Sequence, residues 1–230
     1  MPPISLWAKA VFLLASVNAV GYLALPLIEG SLLYIGLKTS CCVLLALFAQ
    51  ISMPMGRAKK FLLAALLLSA LGDLFLAIRS SDYFVQGLGS FLIAHILYIS
   101  IFVRFKETAS SNFTQRSLIA LVSVVSITMI AVLWPELGAL KAPVVIYIAV
   151  ISLMAIAAIL SSLNSLLVIS GSFLFLISDA TIAVNRFLEP VAYASTLIWI
   201  TYFTAQVLLT FAIYRGKTTQ KAQPLQSTEF

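Results

Sequence analysis

The sequence predicts an all-α fold: a polytopic transmembrane bundle of eight helices with both termini cytoplasmic. Three observations predict it. The chain is 62% hydrophobic and only 10% charged, with a mean hydropathy of +1.09. Its apolar residues fall into eight stretches separated by short turns. Its lysines and arginines gather in the connections on one side.

A soluble domain is typically about 25% charged, because it must cover its surface with polar groups. A chain this apolar would expose large greasy patches to water, so lipid is its solvent. The net charge of +6 does not indicate nucleic acid, since the basic residues sit in short loops between apolar runs. Cys41 and Cys42 are adjacent within one apolar segment. They offer neither a metal-ligand spacing nor a disulfide framework.

A hydrocarbon core about 30 Å thick needs about 20 helical apolar residues to cross. The stretches that qualify are 6–24, 32–53, 59–78, 84–104, 117–134, 142–160, 166–186 and 191–214. Turn chemistry separates them at Pro26 to Gly30, Pro54 to Gly56, Arg79 to Asp82, Thr108 to Arg116, Pro135 to Gly138, and Asn164. The break inside 161–190 is the weakest, carried by Ser161, Ser162 and Asn164. Residues 1–215 thus form one transmembrane domain. Residues 216–230 read as a polar, disordered cytoplasmic tail. The first stretch follows Lys9 as a signal peptide would, but it fits the alternation of the others and is read as a span.

Basic residues set the orientation. Lys9, Arg57, Lys59, Lys60, Arg104, Lys106, Arg116, Arg215, Lys217 and Lys221 fall on one side. Lys38, Arg79, Lys141 and Arg186 fall on the other. The richer side is cytoplasmic, and an even number of spans returns both ends to it.

Charged groups at membrane depth cost at least ~2.5 kcal/mol each and usually mark a site or a pathway. Here they are Lys38, Asp73, His95, Asp179 and, at a helix end, Arg186. Counting ~1.5 Å per residue puts Lys38 and Asp73 about 10 Å below the outer surface. The same count gives Asp179 about 10–12 Å and His95 about 18 Å. Four helices therefore deliver charge to the same half of the bilayer. Helical spacing adds shared faces: Asp179 with Arg186, His95 with Tyr98, Tyr202 with Gln206, Tyr34 with Lys38, and Asn18 with Tyr22. Each group also has a plainer role open to it. Lys38 and Arg186 can snorkel to the interface. Tyr98, Tyr202 and Gln206 can serve as interhelical hydrogen-bond glue. The two acids and the histidine can form a buried structural network.

At these residues the chain resembles the lysoplasmalogenase family of multi-pass membrane proteins, also called YhhN-like. The resemblance runs from about residue 34 to 214 and rests on five pieces in order. They are Leu71-Gly72-Asp73; Phe91 through His95 to Tyr98; Pro143 to Tyr147 ahead of Met154; Ser170-Gly171 through Phe175 to Ser178-Asp179, running on to Asn185-Arg186-Phe187; and Tyr202 to Gln206. Thr39 stands after Lys38 where the family often has proline. The resemblance implies cleavage of the vinyl ether of lysoplasmalogens to a fatty aldehyde and a glycerophospho-ethanolamine or -choline. Its partners are a lysophospholipid in the bilayer and water, in a bacterial inner membrane or a eukaryotic endomembrane.

That chemistry suits the residues. An enol ether is labile to acid: protonation of its β-carbon gives an oxocarbenium ion, which water captures. Two carboxyl groups can divide the work, one as acid and one as anion, as they do around the oxocarbenium of glycoside hydrolysis. Asp73 as the acid, Asp179 as the anion beside Arg186 or Lys38, and His95 as the water or proton handler make the expected catalytic set. The reverse division of the acids stays open. Lys38, Arg186, Tyr98, Ser178, Asn185, Tyr202 and Gln206 are the expected substrate-binding residues. The mechanism needs no metal and no cofactor.

Other readings of the same residues remain. Intramembrane Asp and His also serve proton-coupled transport, and the segments Leu68–Ile78 and Leu174–Val184 faintly echo each other. Two aspartates and a histidine are also a donor set for zinc, although one histidine in the chain excludes a His-rich site. Ala70-Leu71-Gly72-Asp73 lacks the first glycine of the intramembrane aspartyl protease motif.

Overall fold

A computed structural model describes residues 4–78, 83–106, 112–163 and 165–222, with side chains as far as Gly216. Eight long helices follow one another among the described residues: α1 (Leu6–Ala24), α2 (Leu32–Ser52), α3 (Arg57–Ala77), α4 (Phe84–Arg104), α5 (Phe113–Leu133), α6 (Lys141–Ile159), α7 (Ser165–Phe187) and α8 (Ala194–Ala222). All eight are long and apolar enough to cross a membrane. The expected spans agree with them closely. Arg79 and the turn to Asp82, residues 108–111 of the next turn, and Asn164 lie outside the described residues. Helix α8 runs on to Ala222, into the segment expected to be tail, and 223–230 lie outside the described residues.

Local chemistry sets the helix ends. Ser5 and Ser31 cap α1 and α2 by accepting from the backbone N–H three residues on, the ordinary work of a capping hydroxyl. Asn112 and Gln115 form a reciprocal capping box at α5. Lys59 is buried at the start of α3, and its Nζ donates to the Gln50 and Met53 carbonyls at the end of α2. It lies at the end of the bundle richer in basic residues, yet it works as a cap. The break between α6 and α7 is held by its serines. Ser161 Oγ donates back to the Ala158 carbonyl, and Ser162 Oγ donates to the Phe105 carbonyl across 2.8 Å.

Helix packing closes a ring in the order α2, α3, α4, α6, α7, α8 and back to α2. Helix α1 lies outside it on α2, tied to α8 by the Trp199 Nε1 bond to the Ala19 carbonyl at 3.0 Å. Helix α5 lies outside on α6 and α7. The outward faces carry exposed Leu13, Val17, Val124 and Ile127, which suits hydrocarbon as solvent. Polar side chains point inward instead, and Ser69, Asp73, His95, Ser172, Ser178 and Gln206 are all buried.

Glycine allows a close contact between α3 and α4. A Cβ on Gly72 would stand 2.5 Å from the Phe91 ring, and one on Gly87 would meet Leu76 at 2.8 Å. Bare backbone at these two positions brings α3 and α4 together, as small residues do between membrane helices.

Candidate active site

The half of the bundle that carries the α1–α2, α3–α4, α5–α6 and α7–α8 connections is called the outer half below. Both aspartates sit in it, and each is held by a tyrosine from another helix. Tyr202 on α8 donates its hydroxyl to Asp73 Oδ2 at 2.7 Å. Tyr147 on α6 donates to Asp179 Oδ2 at 2.6 Å. The Tyr202 hydroxyl is also 3.1 Å from Cys42 Sγ, so the cysteine of α2 helps seat it.

The two carboxyl groups differ in access. Asp73 is 2% exposed. Asp179 is half-buried and lines an apolar cavity between α3, α4, α5, α6 and α7. Phe84, Leu88 and Phe91 of α4 form one wall, facing Val144 and Ile148 of α6 and Ala183 of α7. Its polar lining is sparse. Tyr147 and Asp179 meet there, and Ser126 and Ser152 join each other at 2.6 Å.

An aromatic wall separates the acids. Phe91 packs edge-on against Tyr202 at 5.6 Å and Phe175 against Tyr202 at 5.4 Å. His95 packs on Phe175 at 4.7 Å and on Tyr147 at 5.4 Å. A path from Asp73 to Asp179 therefore crosses Tyr202, Phe175, His95 and Tyr147. The two carboxyl groups do not share the cavity, and Asp73 acts on Asp179 only through its charge.

The cations divide between them. Lys38 is half-buried on α2, and its charge acts on Asp73. Arg186 does not fold back on Asp179; its guanidinium lies 4.8 Å over the Phe84 ring, at the outer end of the cavity. Among the other expected residues, Tyr98 donates to Gln206 Oε1 at 2.6 Å in the closed interior. Ser178 donates to the Ile198 carbonyl of α8 at 3.3 Å. Asn185 accepts from the Val191 N–H and fastens the α7–α8 connection. None of these four lines the cavity. The described residues hold no cluster of three metal-ligating side chains.

Tyr147 is the site residue that side-chain reasoning passed over. In the sequence it stands only as the last residue of the Pro143 to Tyr147 piece. Its depth was the available signal: six residues into α6 is about 9 Å, close to the depth of Asp179.

The model of the YhhN family matches residues 33–213 of this chain. The chain belongs to the YhhN family. A Mycobacterium bovis member named lysoplasmalogenase is 34% identical over 183 residues, covering 78% of this chain and 70% of its own length. A Mycobacterium tuberculosis protein of the same name matches with the same figures. Lysoplasmalogenase TMEM86A of Homo sapiens is 33% identical over 161 residues, covering 66% of this chain and 64% of its own length. No solved structure matches. The YhhN match contains both aspartates, both tyrosines, His95, Lys38 and Arg186, while α1 lies before it. With eight spans, this YhhN protein is an integral, multi-pass membrane protein.

Proposed function

We propose that this protein is a lysoplasmalogenase, hydrolysing the vinyl ether of a lysoplasmalogen to a fatty aldehyde and a glycerophospho-ethanolamine or -choline. The carrying observation is a carboxyl group, Asp179, set in the wall of an intramembrane apolar cavity. The name lysoplasmalogenase, borne by relatives at 33–34% identity, supports the same reading. A lysolipid has one hydrocarbon chain, and one apolar cavity suits it. The exposed Arg186 guanidinium at the cavity's outer end suits the phosphate, to which arginine can bond in a bidentate manner. The outer connections face the exterior in this reading, following the basic-residue bias.

In the mechanism Asp179 is the acid. Tyr147 occupies its Oδ2, leaving Oδ1 for the proton that passes to the vinyl β-carbon. The resulting oxocarbenium ion is opposed by Asp73, whose carboxyl group accepts from the Tyr202 hydroxyl and feels the Lys38 charge. Charge acts across the aromatic wall because little water is present to screen it. Water adds to the cation and returns a proton to Asp179. The hemiacetal then collapses to aldehyde and alcohol. His95, packed on Tyr147, handles the water. This division reverses the one expected from sequence, because Lys38 acts on Asp73 and Asp179 alone opens on the cavity.

The test is to incubate purified protein with lysoplasmenyl-ethanolamine and with its saturated alkyl-ether analogue. Aldehyde from the vinyl ether alone is the expected result. Aldehyde from neither, in folded protein, contradicts the proposal. A proton-coupled transporter would instead move solute across proteoliposomes without forming product.

A further inference from the structure

A second set of polar groups lies one helical turn beneath the acids. Its register follows from contacts already described. Helices α3 and α8 run in opposite directions and meet where Tyr202 bonds Asp73. One turn down each of them brings Ser69 opposite Gln206. Phe91 of α4 packs on Tyr202, so His95, one turn down α4, falls at the same level. Tyr98, three residues from His95, bonds Gln206 and fixes that alignment.

All three side chains are fully buried. His95 Nδ1, His95 Nε2, Gln206 Nε2 and Ser69 Oγ have no hydrogen-bond partner among the described residues. A neutral imidazole carries one donor and one acceptor, an amide nitrogen two donors, and a hydroxyl one of each kind. Leaving such groups unmet in a closed interior costs about 1–3 kcal/mol apiece. Buried polar groups of this kind are ordinarily met by internal water, which makes two to four hydrogen bonds.

We infer that Ser69, His95 and Gln206 form a water-binding site in the middle of the bundle, separate from the apolar cavity that Asp179 lines. None of the three lines that cavity. The donors and acceptors are uncharged and mixed, as a water molecule requires and a metal ion does not. His95 joins the two compartments, because its ring packs on Tyr147 and Phe175, which border the acids. The water's role in turnover rests on the hydrolase reading; the binding site itself does not.

The experiment is an experimental map of the full-length protein at a resolution that shows ordered water, for wild type, Gln206→Met and Ser69→Ala. A peak about 2.7–3.2 Å from a His95 nitrogen and from Gln206 Nε2 is expected in wild type. It should weaken or vanish in either variant while the helices stay in place. If Gln206→Met does not fold, Ser69→Ala carries the comparison. Direct bonding among the three side chains with no peak between them would overturn the inference. Kinetically, Gln206→Met should lower kcat about tenfold with KM retained. An unchanged kcat in a variant that has lost the peak would overturn the water's role. A wild-type peak in a protein that cleaves no vinyl ether would defeat the hydrolase reading alone and leave the water site standing.

Discussion

The Tyr147 hydroxyl reaches from α6 to donate to Asp179 Oδ2 on α7 at 2.6 Å, inside a cavity otherwise walled almost wholly by hydrocarbon. In that setting a hydrogen bond to a carboxyl group fixes its rotamer and decides which oxygen is left to carry a proton. Tyr147→Phe keeps the ring and removes the bond. Hydrogen bonds to charged groups contribute about 1.5–3 kcal/mol. The variant should therefore lose roughly tenfold to a hundredfold in kcat, with KM little changed, measured as aldehyde release.

Lys38 and Asp73 should behave as a unit. Lys38→Met leaves the buried Asp73 carboxyl group without its neighbouring cation, whereas Asp73→Asn removes the partner of that cation. A double-mutant cycle on kcat/KM should show coupling of about 0.5–3 kcal/mol, with the double variant less impaired than the sum of the two. Strict additivity would separate Lys38 from the site.

Gly72→Ala tests the α3–α4 contact. The added methyl would meet the Phe91 ring at 2.5 Å, and the α3 backbone cannot easily retreat. Overpacking of this kind costs about 1–3 kcal/mol. A lower melting temperature in detergent is expected. Activity should fall as well, because Phe91 borders both the cavity and Tyr202.

Ala183→Phe fills part of the cavity beyond Asp179. The variant should accept short-chain vinyl ethers almost as well as wild type and discriminate against long ones. Each methylene denied burial costs about 0.8 kcal/mol. A KM series over chain length reads this directly, and an unchanged series would place the hydrocarbon chain elsewhere.

The eight spans were legible because apolar runs of membrane length are hard to mistake and Pro54, Pro135 and Gly138 mark turns plainly. Counting residues also put Asp73 and Asp179 in one half of the bundle, with His95 near its middle. Depth carries no rotation about the helix axis, however. It could not say that Arg186 turns to Phe84 rather than Asp179, that Ser178 turns to α8, or that Asn185 closes a loop. The aromatic wall was hidden for another reason. Phe91 and Phe175 look like any other apolar residue in a span, and only packing against Tyr202 and His95 gives them a position between the acids. Lys59 was hidden by its charge, which reads as a surface residue until its burial and its two carbonyl acceptors are seen.

The most direct measurement is the single-turnover rate of aldehyde release by Asp179→Asn, in protein whose melting temperature and elution match wild type. An amide keeps the shape of the carboxyl group and the Tyr147 contact but has no proton to give. General acid catalysis contributes about 10²- to 10⁴-fold, so a loss of that size is expected with substrate binding retained. A rate within a few-fold of wild type would contradict the assignment of the acid to this carboxyl group.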